Sequence, residues 1–505
     1  MGFFSTKIKN GALRVGAAFN GARMLRQFKN WVASQGSPDG EIIADLPKLR
    51  YRCRDLHKNN AIARAAEEAI IRNVVGPGLK MQTAVDYATL ARELNITPDE
   101  AEKLADEFEQ KIESAWHAYY NSTACDARGV SDGPEKTRLA LSSVLQSGDV
   151  FATFPRVNGY PRLGLIEADQ VQNPLSLSSN AALREGVFVD ENGAPLGYYV
   201  NANQEQWPQD MHFVPKYGNE SGRAMILHLF REERPGQNRG IPWCAPVIEQ
   251  LKNLDGYKKS EITAALVSSF LTFFVEKPPG ASGHALPGAQ NTTEESLGPD
   301  FMAGPAAILE LPAGWKMNPH NPARPNSNAV GFIESVLKEV GSALGVPFEM
   351  LLSHYTTSFT SARAARIEFW KTVQLWRSWL VENFLRVWYE EFLTDAIIAG
   401  RVDAPGFFDS ETLRRAWSAA NWYGPALGQI NEKVETYAIA AVIALGGKSA
   451  SAAIAEAYGT DYEDNIRALK REQKFREKHG VRLSTDETTK PMTPPAQPPQ
   501  EEPTE

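Results

Sequence analysis

Cysteine is scarce in this chain of 505 residues. Its three cysteines, Cys53, Cys125 and Cys244, are far apart, and no two of them form a CxxC pair. A disulfide framework needs several cysteines in an extracellular protein, and a structural zinc site needs closely spaced ligands. We therefore expect three ordinary thiols in a protein that folds in a reducing cytoplasm.

Long apolar runs are also absent. No segment approaches the roughly 18 consecutive apolar residues of a membrane span. The nearest, residues 262–275, contains hydroxyl side chains, and we predict a buried helix there. Residues 1–31 carry basic and no acidic side chains, but lack the apolar core and cleavage site of a secretory signal. We expect a basic N-terminal arm over residues 1–45 and no membrane contact.

A surplus of positive charge is missing too. The formal net charge is -8, whereas proteins that grip duplex DNA tightly usually carry a basic surplus. This charge argues against a tight DNA binder, but it is compatible with a surface past which DNA slides without being held. With 43% apolar and 23% charged residues, the chain is expected to be globular, with two or more folding regions.

The common catalytic motifs are absent. Residues 446–449 read Gly-Gly-Lys-Ser, but Val442 stands where a phosphate-binding loop needs glycine, and a helical run precedes the segment. A helix end explains these glycines better. The patterns GxSxG, HExxH, GxGxxG and the EF-hand loop do not occur. We expect no cofactor and no enzyme, although catalytic groups can also meet from distant positions.

Isolated titratable residues are predicted to be structural. His228 lies in an apolar strand pattern, which is typical of a packed histidine. His57 and His117 lie on predicted helices without an obvious partner. The adjacent pairs Glu67-Glu68 and Glu232-Glu233 diverge in direction, so we expect them on solvated faces.

Hydrophobic periodicity predicts a mixed fold that is mostly helical. Helices are predicted at about 52–75, stopped by Gly76-Pro77-Gly78, and from Thr97, where Glu100 completes a capping box. Residues 148–230 contain short β-rich runs, with a hairpin turn at Asn192-Gly193. The fold class is therefore α+β.

The second half of the chain alternates helices with unusual connections. Helices are predicted at about 245–277, 329–345 and 362–399. The first two are joined by a Pro-, Gly- and Asn-rich excursion, residues 278–328, with one apparent strand at 306–311. Residues 353–361 carry no fixed charge apart from a histidine. The Pro-rich acidic residues 484–505 are predicted to be disordered.

Residues 227–248 combine the end of a strand with a distinctive turn. After His228 to Phe230 this segment contains Arg234, Pro235, Gly236, Gln237, Arg239, Gly240 and Pro242. This combination resembles the signature of the lambda family of phage portal proteins. Further similar segments follow the family's order between about residues 50 and 460. The other matches are Arg54-Asp55-Leu56 with Asn59-Asn60, Val74 to Gly78, Ser147 to Phe151, Ile166 to Asp169, Gly345 to Phe348 and Ser361-Ala362-Arg363.

The resemblance implies a portal fold and a homo-oligomeric ring, expected to be a dodecamer, at one capsid vertex of the virion. Its parts map onto the chain in order. We expect a wing over residues 46–244, stem helices over 245–277 and 329–352 with a clip (278–328) between them, a tunnel loop over 353–361, a wing helix over 362–405 and a crown over 406–483.

The same resemblance implies partners and contact residues. Double-stranded DNA would pass through non-specifically, and the terminase motor, the capsid and head-completion proteins would dock, with assembly in the host cytoplasm. The tunnel loop would present Ser353, His354, Tyr355, Thr356, Thr357, Ser358, Phe359 and Thr360 to DNA. Lys252, Lys258 and Lys259 would lie on the channel face of the stem, mixed with acidic residues.

Two other classes of protein compete with this interpretation. Another phage ring or connector protein would share the helical composition, but the excursion between two helices favours a portal. A nuclease or ATPase of the packaging motor would need a nucleotide loop or a cluster of metal-binding carboxylates, and the sequence shows neither.

Overall fold

The computed structural model describes ten stretches of the chain. They are residues 36–157, 159–177, 180–201, 211–269, 273–276, 316–319, 329–354, 359–427, 432–459 and 462–479. Residues 1–35, 277–315 and 480–505 therefore lie outside the described part, and with them the strand predicted at 306–311 and the predicted disordered tail. Helices and several small antiparallel sheets confirm the α+β class.

Two helices, not one, fill the region predicted as a helix at 52–75. α1 spans Pro38–Asn59 and α2 spans Ala61–Val74. Asn60 separates them because its side-chain oxygen accepts hydrogen bonds from the backbone N–H groups of Ile62 and Ala63. α1 also begins inside the predicted N-terminal arm, since Ser37 caps it. The arm can therefore extend no further than about residue 36.

The next helices surround the main core. α3 spans Tyr87–Leu94, α4 spans Pro98–Tyr120 and α5 spans Gly133–Ser147. The capping box predicted at Thr97 and Glu100 is present. The indole of Trp116 on α4 contacts a group of aromatic rings, which are Tyr119, Tyr120, Trp388, Tyr389, Phe392 and Trp422. These contacts join α4 to the C-terminal part of the chain.

The β-rich segment forms two main sheets. A three-stranded sheet has the order β10-β2-β5, and a four-stranded sheet has the order β6-β7-β8-β9. The hairpin predicted at Asn192-Gly193 joins β7 to β8. The strands of this segment are β2 (Asp149–Thr153), β3 (Arg156–Val157), β4 (Tyr160–Pro161), β5 (Gly164–Glu167), β6 (Leu183–Arg184), β7 (Val187–Val189), β8 (Pro195–Asn201), β9 (Met211–Pro215) and β10 (Ile226–Phe230).

A helical pair follows the β-rich segment. α6 spans Ile248–Ser269 and α7 spans Ala329–Leu344, and the two helices contact each other. The helix predicted over residues 245–277 does not reach residue 277, because residues 273–276 form a strand. This strand, β11 (Phe273–Glu276), pairs antiparallel with β12 (Lys316–Pro319). The excursion between the helices therefore begins and ends in a two-stranded ladder.

A long helical rod carries the chain back across the core. α8 (Phe348–Leu352) precedes α9 (Phe359–Leu380), and a π-helical turn at Val381–Leu385 joins α9 to α10 (Arg386–Ile398). Five apolar side chains at helical spacing along this rod are buried: Phe369, Val373, Trp376, Leu380 and Phe384. Val387, which continues the same spacing, is half-buried.

The C-terminal elements return to the N-terminal part. α11 spans Glu411–Trp417, and β13 (Ala420–Tyr423) pairs antiparallel with β1 (Lys80–Thr83). Three helices follow, α12 (Glu432–Ala444), α13 (Ala450–Tyr458) and α14 (Tyr462–His479). Gly446 takes a φ of 71° after α12 and Ser449 caps α13, so the Gly-Gly-Lys-Ser segment is a helix-to-helix turn, as predicted.

Candidate functional site

The signature segment forms the loop between β10 and α6. Gln237 holds this loop in shape, because its side-chain oxygen accepts hydrogen bonds from the backbone N–H groups of Glu233 and Arg234 at 2.9 and 3.2 Å. Its side-chain nitrogen donates to the Arg239 carbonyl at 2.7 Å. Gln237 is buried, whereas Pro235 and Gly236 are exposed at the tip. The Arg-Pro-Gly-Gln sequence is therefore a turn that is stabilised by hydrogen bonds within the loop itself.

Arg239 points from this turn into the protein and is completely buried. Its Nε donates to Asp149 Oδ2 at 2.6 Å, and its Nη atoms donate to the carbonyls of Val171 and Ala168 at 2.9 and 2.8 Å. Burial of a guanidinium is costly unless it is paired and its donors are satisfied. Here these donors are satisfied by groups from β2 and from the segment that follows β5.

Asp149, the first residue of β2, is the centre of a buried ionic cluster. It also accepts hydrogen bonds from Arg50 on α1 at 2.9 Å and from the Gly240 backbone N–H at 3.3 Å. Burial alone would raise the pKa of Asp149, but the guanidinium groups of Arg239 and Arg50 outweigh it and hold this pKa well below its usual range. The carboxylate is charged, and its charge ties α1, β2 and the signature loop together.

His228 of β10 completes the cluster, with its Nε2 3.3 Å from Asp149 Oδ2. Burial lowers the pKa of His228 to about 4, although the hydrogen bond to Asp149 acts in the opposite direction. The imidazole is therefore neutral at pH 7, and it stacks on Phe151 at 4.2 Å between ring centroids. The prediction of a packed histidine agrees with this position.

Two glycines allow the signature loop to approach β2. A Cβ atom on Gly240 would lie 1.9 Å from the carbonyl oxygen of Gly148, and a Cβ on Gly148 would lie 2.2 Å from that of Gly240. No larger residue fits at either position without a backbone shift. Pro242 follows, buried, three residues before the 3₁₀ turn that leads into α6. The signature thus fixes where the first helix of the pair begins.

The two ends of the α6/α7 pair differ in burial. Leu251 and Leu254 of α6, together with Leu337, Val340 and Leu344 of α7, are buried in the core. At the other end, four apolar side chains are exposed in the single chain: Ile262 by 61%, Leu266 by 58%, Val330 by 66% and Phe332 by 53%. The prediction that residues 262–275 form a buried helix is therefore wrong for Ile262 and Leu266 in the single chain.

The predicted lysines of α6 divide between two faces. Lys252 and Lys259 are exposed and lie seven residues apart, which places them on one face of the helix. Lys258 is half-buried and lies about 100° further round the helix. The structure therefore brings Lys252 and Lys259 together and sets Lys258 apart.

The predicted tunnel loop is shorter than 353–361. Ser353 adopts a left-handed conformation with a φ of 50° at the end of α8, and both Ser353 and His354 are exposed. Phe359 and Thr360 belong to the first turn of α9, so the loop ends before them. Tyr355, Thr356, Thr357 and Ser358 lie outside the described residues. The loop as a candidate for DNA contact is thus reduced to residues 353–358.

A sequence profile described as "Phage portal protein, lambda family" matches residues 25–377, which include the signature, the helical pair and most of α9. The chain belongs to this family of phage portal proteins.

Curated portal proteins match this portal chain over most of its length. The portal protein of Escherichia phage N15 is 23% identical over 484 residues, covering 90% of this chain and 89% of the relative. Portal protein B of Escherichia phage lambda is 23% identical over 494 residues, covering 92% of this chain and 90% of the relative.

Solved structures also resemble the portal chain. A chain from the neck of an empty GTA (gene transfer agent) particle, computed with C6 symmetry, aligns with a TM-score of 0.48 at 13% identity, covering 82% of this chain and 92% of that one. A chain from the neck of the native GTA particle, computed with C12 symmetry, aligns with a TM-score of 0.45 at 14% identity, covering 81% and 92%.

Some functional and structural residues were not found from the sequence. Asp149 was not recognised as the shared partner of Arg50 and Arg239, although a carboxylate at the start of the apolar run of β2 was a signal. The statement that His57 lacks a partner is wrong, because its Nδ1 lies 2.7 Å from Glu67 Oε2. Glu67 is buried, not solvated, and accepts hydrogen bonds from Ser142 and Gln146.

The cysteine prediction also needs correction. The sulfur atoms of Cys53 and Cys244 are bonded to each other, and only Cys125 remains as a free, buried thiol. The two partners are 191 residues apart in the sequence, so no local spacing could reveal them.

The part of the chain that the structure describes contains neither a candidate metal site nor a candidate membrane span. No group of three or more His, Cys, Asp or Glu side chains in that part of the chain is arranged to hold a metal ion. Within the same part, every helix is too short or too polar to cross a membrane.

Proposed function

We propose that this portal subunit assembles into a closed ring through whose channel double-stranded DNA is packaged and later ejected. The observation that carries this proposal is the exposed apolar end of the α6/α7 pair. In this arrangement, the pair acts as the stem, residues 278–328 as the clip and the α9–α10 rod as the wing helix. The ring is expected to be a dodecamer at one vertex of the capsid.

The proposed stem has apolar side chains that the single chain leaves unburied. Ile262, Val330 and Phe332 expose large apolar surfaces at the end of the pair that is far from the core. A patch of this kind is typical of a protein interface. In a ring, each subunit presents one surface to a different surface of its neighbour, so a single contact repeated round the axis covers the patch in every copy.

The residues proposed to line the channel should attract DNA phosphates only weakly. A tight DNA binder would displace counterions with clustered cations. Here the net charge is -8, and α6 mixes Lys252 and Lys259 with the acidic residues Glu249, Asp255 and Glu261. Residues 353–358 offer hydroxyl and aromatic groups with no fixed charge apart from His354. DNA can therefore move along such a channel without being held at one sequence.

The partners follow from this arrangement. The clip, which leaves the stem through the β11–β12 ladder, would face the terminase motor during packaging and head-completion proteins afterwards. The subunit itself would act as a conduit and docking ring, without catalysis and without a cofactor. Assembly would take place in the host cytoplasm, and the finished ring would remain in the virion.

The test is the oligomeric state of the purified full-length chain. Mass photometry and negative-stain imaging should show a ring of many subunits with a central hole. Monomers alone, across all salt concentrations and protein concentrations tested, would contradict the proposal.

A further inference from the structure

Cys53 and Cys244 meet where α1 contacts the start of the stem. Their Cα atoms are 6.1 Å apart, which is within the usual range for a disulfide. Cys53 lies on α1, and Cys244 immediately precedes the 3₁₀ turn Ala245–Val247 that leads into α6. A bond between these sulfurs therefore ties a helix of the wing to the base of the stem.

A proton acceptor lies beside this pair. The two cysteines line one small void together with His57, Glu67 and Gln146. His57 is four residues after Cys53, on the same face of α1. Because Glu67 Oε2 engages Nδ1 of His57 at 2.7 Å, the Nε2 atom is left to accept a proton. The thiolate is the reactive form of cysteine, so an adjacent acceptor favours exchange chemistry at this pair.

The sulfur atoms are shielded in the closed structure. Cys53 and Cys244 are 2% and 9% exposed, whereas the neighbouring His57 side chain is 23% exposed. Exchange at such buried sulfurs requires a local opening of the surrounding structure. Oxidation and reduction should therefore be slow.

Cys125 provides the contrast within the same chain. It is completely buried, and burial raises the pKa of its thiol to about 12, with a further contribution from the negative charge of Asp126. It is a free cysteine. A thiol held in this way is protonated and inert at neutral pH.

We propose that Cys53 and Cys244 are a redox-active pair, oxidised by small disulfides and reduced by small thiols, which locks α1 to the stem when oxidised. With glutathione disulfide, one cysteine thiolate attacks the reagent and releases the first glutathione. The second cysteine then attacks the mixed disulfide and releases the second glutathione. Two protein thiols become one disulfide, and their protons end on two glutathione thiols.

The biological setting of this pair rests on the proposed function. A portal subunit would be made in a reducing cytoplasm and would later belong to a particle exposed to oxidising surroundings. The stem could therefore be adjustable during assembly and locked in the released particle. The chemistry itself can be measured on the purified chain whether or not it forms rings.

The first test counts thiols in the full-length protein with a thiol reagent under denaturing conditions. Protein treated with dithiothreitol should show three thiols per chain. Protein treated with glutathione disulfide should show one, and non-reducing peptide mapping should join the peptides of Cys53 and Cys244. Three thiols after oxidation, or a cross-link that contains Cys125, would overturn the proposal. This count uses the wild-type chain, so it does not depend on the folding of any variant.

The second test uses matched variants. Oxidation should raise the melting temperature of the wild type by about 3 °C or more, since the bond closes a long loop. C53S and C244S should abolish this shift, whereas C125S should retain it. H57Q should slow disulfide formation by about tenfold without changing the final thiol count. If oxidation still raised the melting temperature of C53S, the proposed link between α1 and the stem would be wrong. If H57Q formed the disulfide at the wild-type rate, the proposed role of His57 would be wrong.

Discussion

Asp149 shows how one residue can organise a family signature. It lies at the start of a strand, completely buried, and contacts Arg50, His228 and Arg239 from three other parts of the chain. A buried charge of this kind is stable only while its partners remain. Gln237, Arg239 and Gly240 of the signature are thus explained by their contacts in the interior of the protein.

Removal of Arg239 should be strongly destabilising. Arg239→Met leaves Asp149 with fewer compensating charges, so we expect a loss of about 3–5 kcal/mol in the free energy of unfolding. Arg234→Met is the control, because Arg234 pairs with Glu41 at an exposed site, where the loss should be below about 1 kcal/mol. Urea unfolding of the two variants measures both values. Equal losses would show that the buried cluster is not the stabilising feature.

His228 should make stability fall in mild acid. Its pKa is lowered to about 4 in the folded protein from 6.5, so the unfolded chain binds a proton between these values while the folded one does not. Stability is therefore lost as the pH falls from about 6.5 towards 4. At pH 4.5 the loss due to His228 should be about 2 kcal/mol.

The control for this pH effect is His228→Gln, which keeps a hydrogen-bond donor and removes the titration. Urea unfolding at pH 7 and pH 4.5 should show a smaller loss in the variant than in the wild type. Equal losses in both proteins would mean that other groups cause the pH dependence.

Residue-scale prediction succeeded for local signals and failed for distant pairs. The capping residues Thr97 and Glu100 and the packed His228 followed from short patterns. The partners Arg50 and Asp149 are 99 residues apart. Their pairing depends on the folded chain, and no spacing rule contains it.

At the scale of elements, the loop between α8 and α9 is the most specific candidate for DNA contact. Replacement of Tyr355 to Ser358 by a Gly/Ser segment of equal length should leave ring assembly unchanged, because the flanking helices keep their own core contacts. DNA packaging should fall, since the proposed contacts with DNA are removed. DNase-protected DNA in a packaging reaction measures this effect.

A matched Gly/Ser replacement at the exposed turn Glu191 to Gly193 serves as the control for the loop variant. It should leave both assembly and packaging intact. Normal packaging by the loop variant would remove residues 353–358 from the proposed channel surface.

Element boundaries were predicted where a local signal ends an element. Gly76 and Gly345 take positive φ values after α2 and α7, as their sequence context indicated. The break at Asn60 was missed because asparagine inside a helical pattern is a weak signal until its side chain caps the next helix. The pairings of β1 with β13 and of β11 with β12 were missed because they join distant segments.

At the scale of the whole molecule, we expect the exposed end of the α6/α7 pair, the proposed stem, to control assembly. The double variant I262E/V330E places charges on the apolar surface that a neighbour would cover, and a buried unpaired charge is costly. We expect monomers or incomplete rings by mass photometry, with an unchanged circular dichroism spectrum and melting temperature of the monomer.

Val130→Glu is the control for the stem variant, since Val130 is also exposed, by 66%, but lies in a loop outside the stem. Its rings should form normally. Normal rings in I262E/V330E would show that the subunit interface lies elsewhere.

The overall architecture was largely predictable, because its helices are long and periodic and the family-like segments occur in order. The exposed apolar surfaces could not be predicted from the sequence. The exposure of Ile262 and Val330 has no signature in the sequence, where an apolar helix face reads the same whether it packs on its own core or on a neighbour.

The β11–β12 ladder has a consequence for how portals of this kind can diversify. Phe273 pairs with Pro319 and Glu276 pairs with Lys316, so the two ends of the segment between these strands lie side by side. We therefore expect that the residues between 276 and 316 can be exchanged while α6 and α7 keep their positions. The ladder would thus be a constant attachment point for a variable segment. Replacement of the enclosed segment by that of another portal should change the docking partner, while the rest of the subunit keeps its fold.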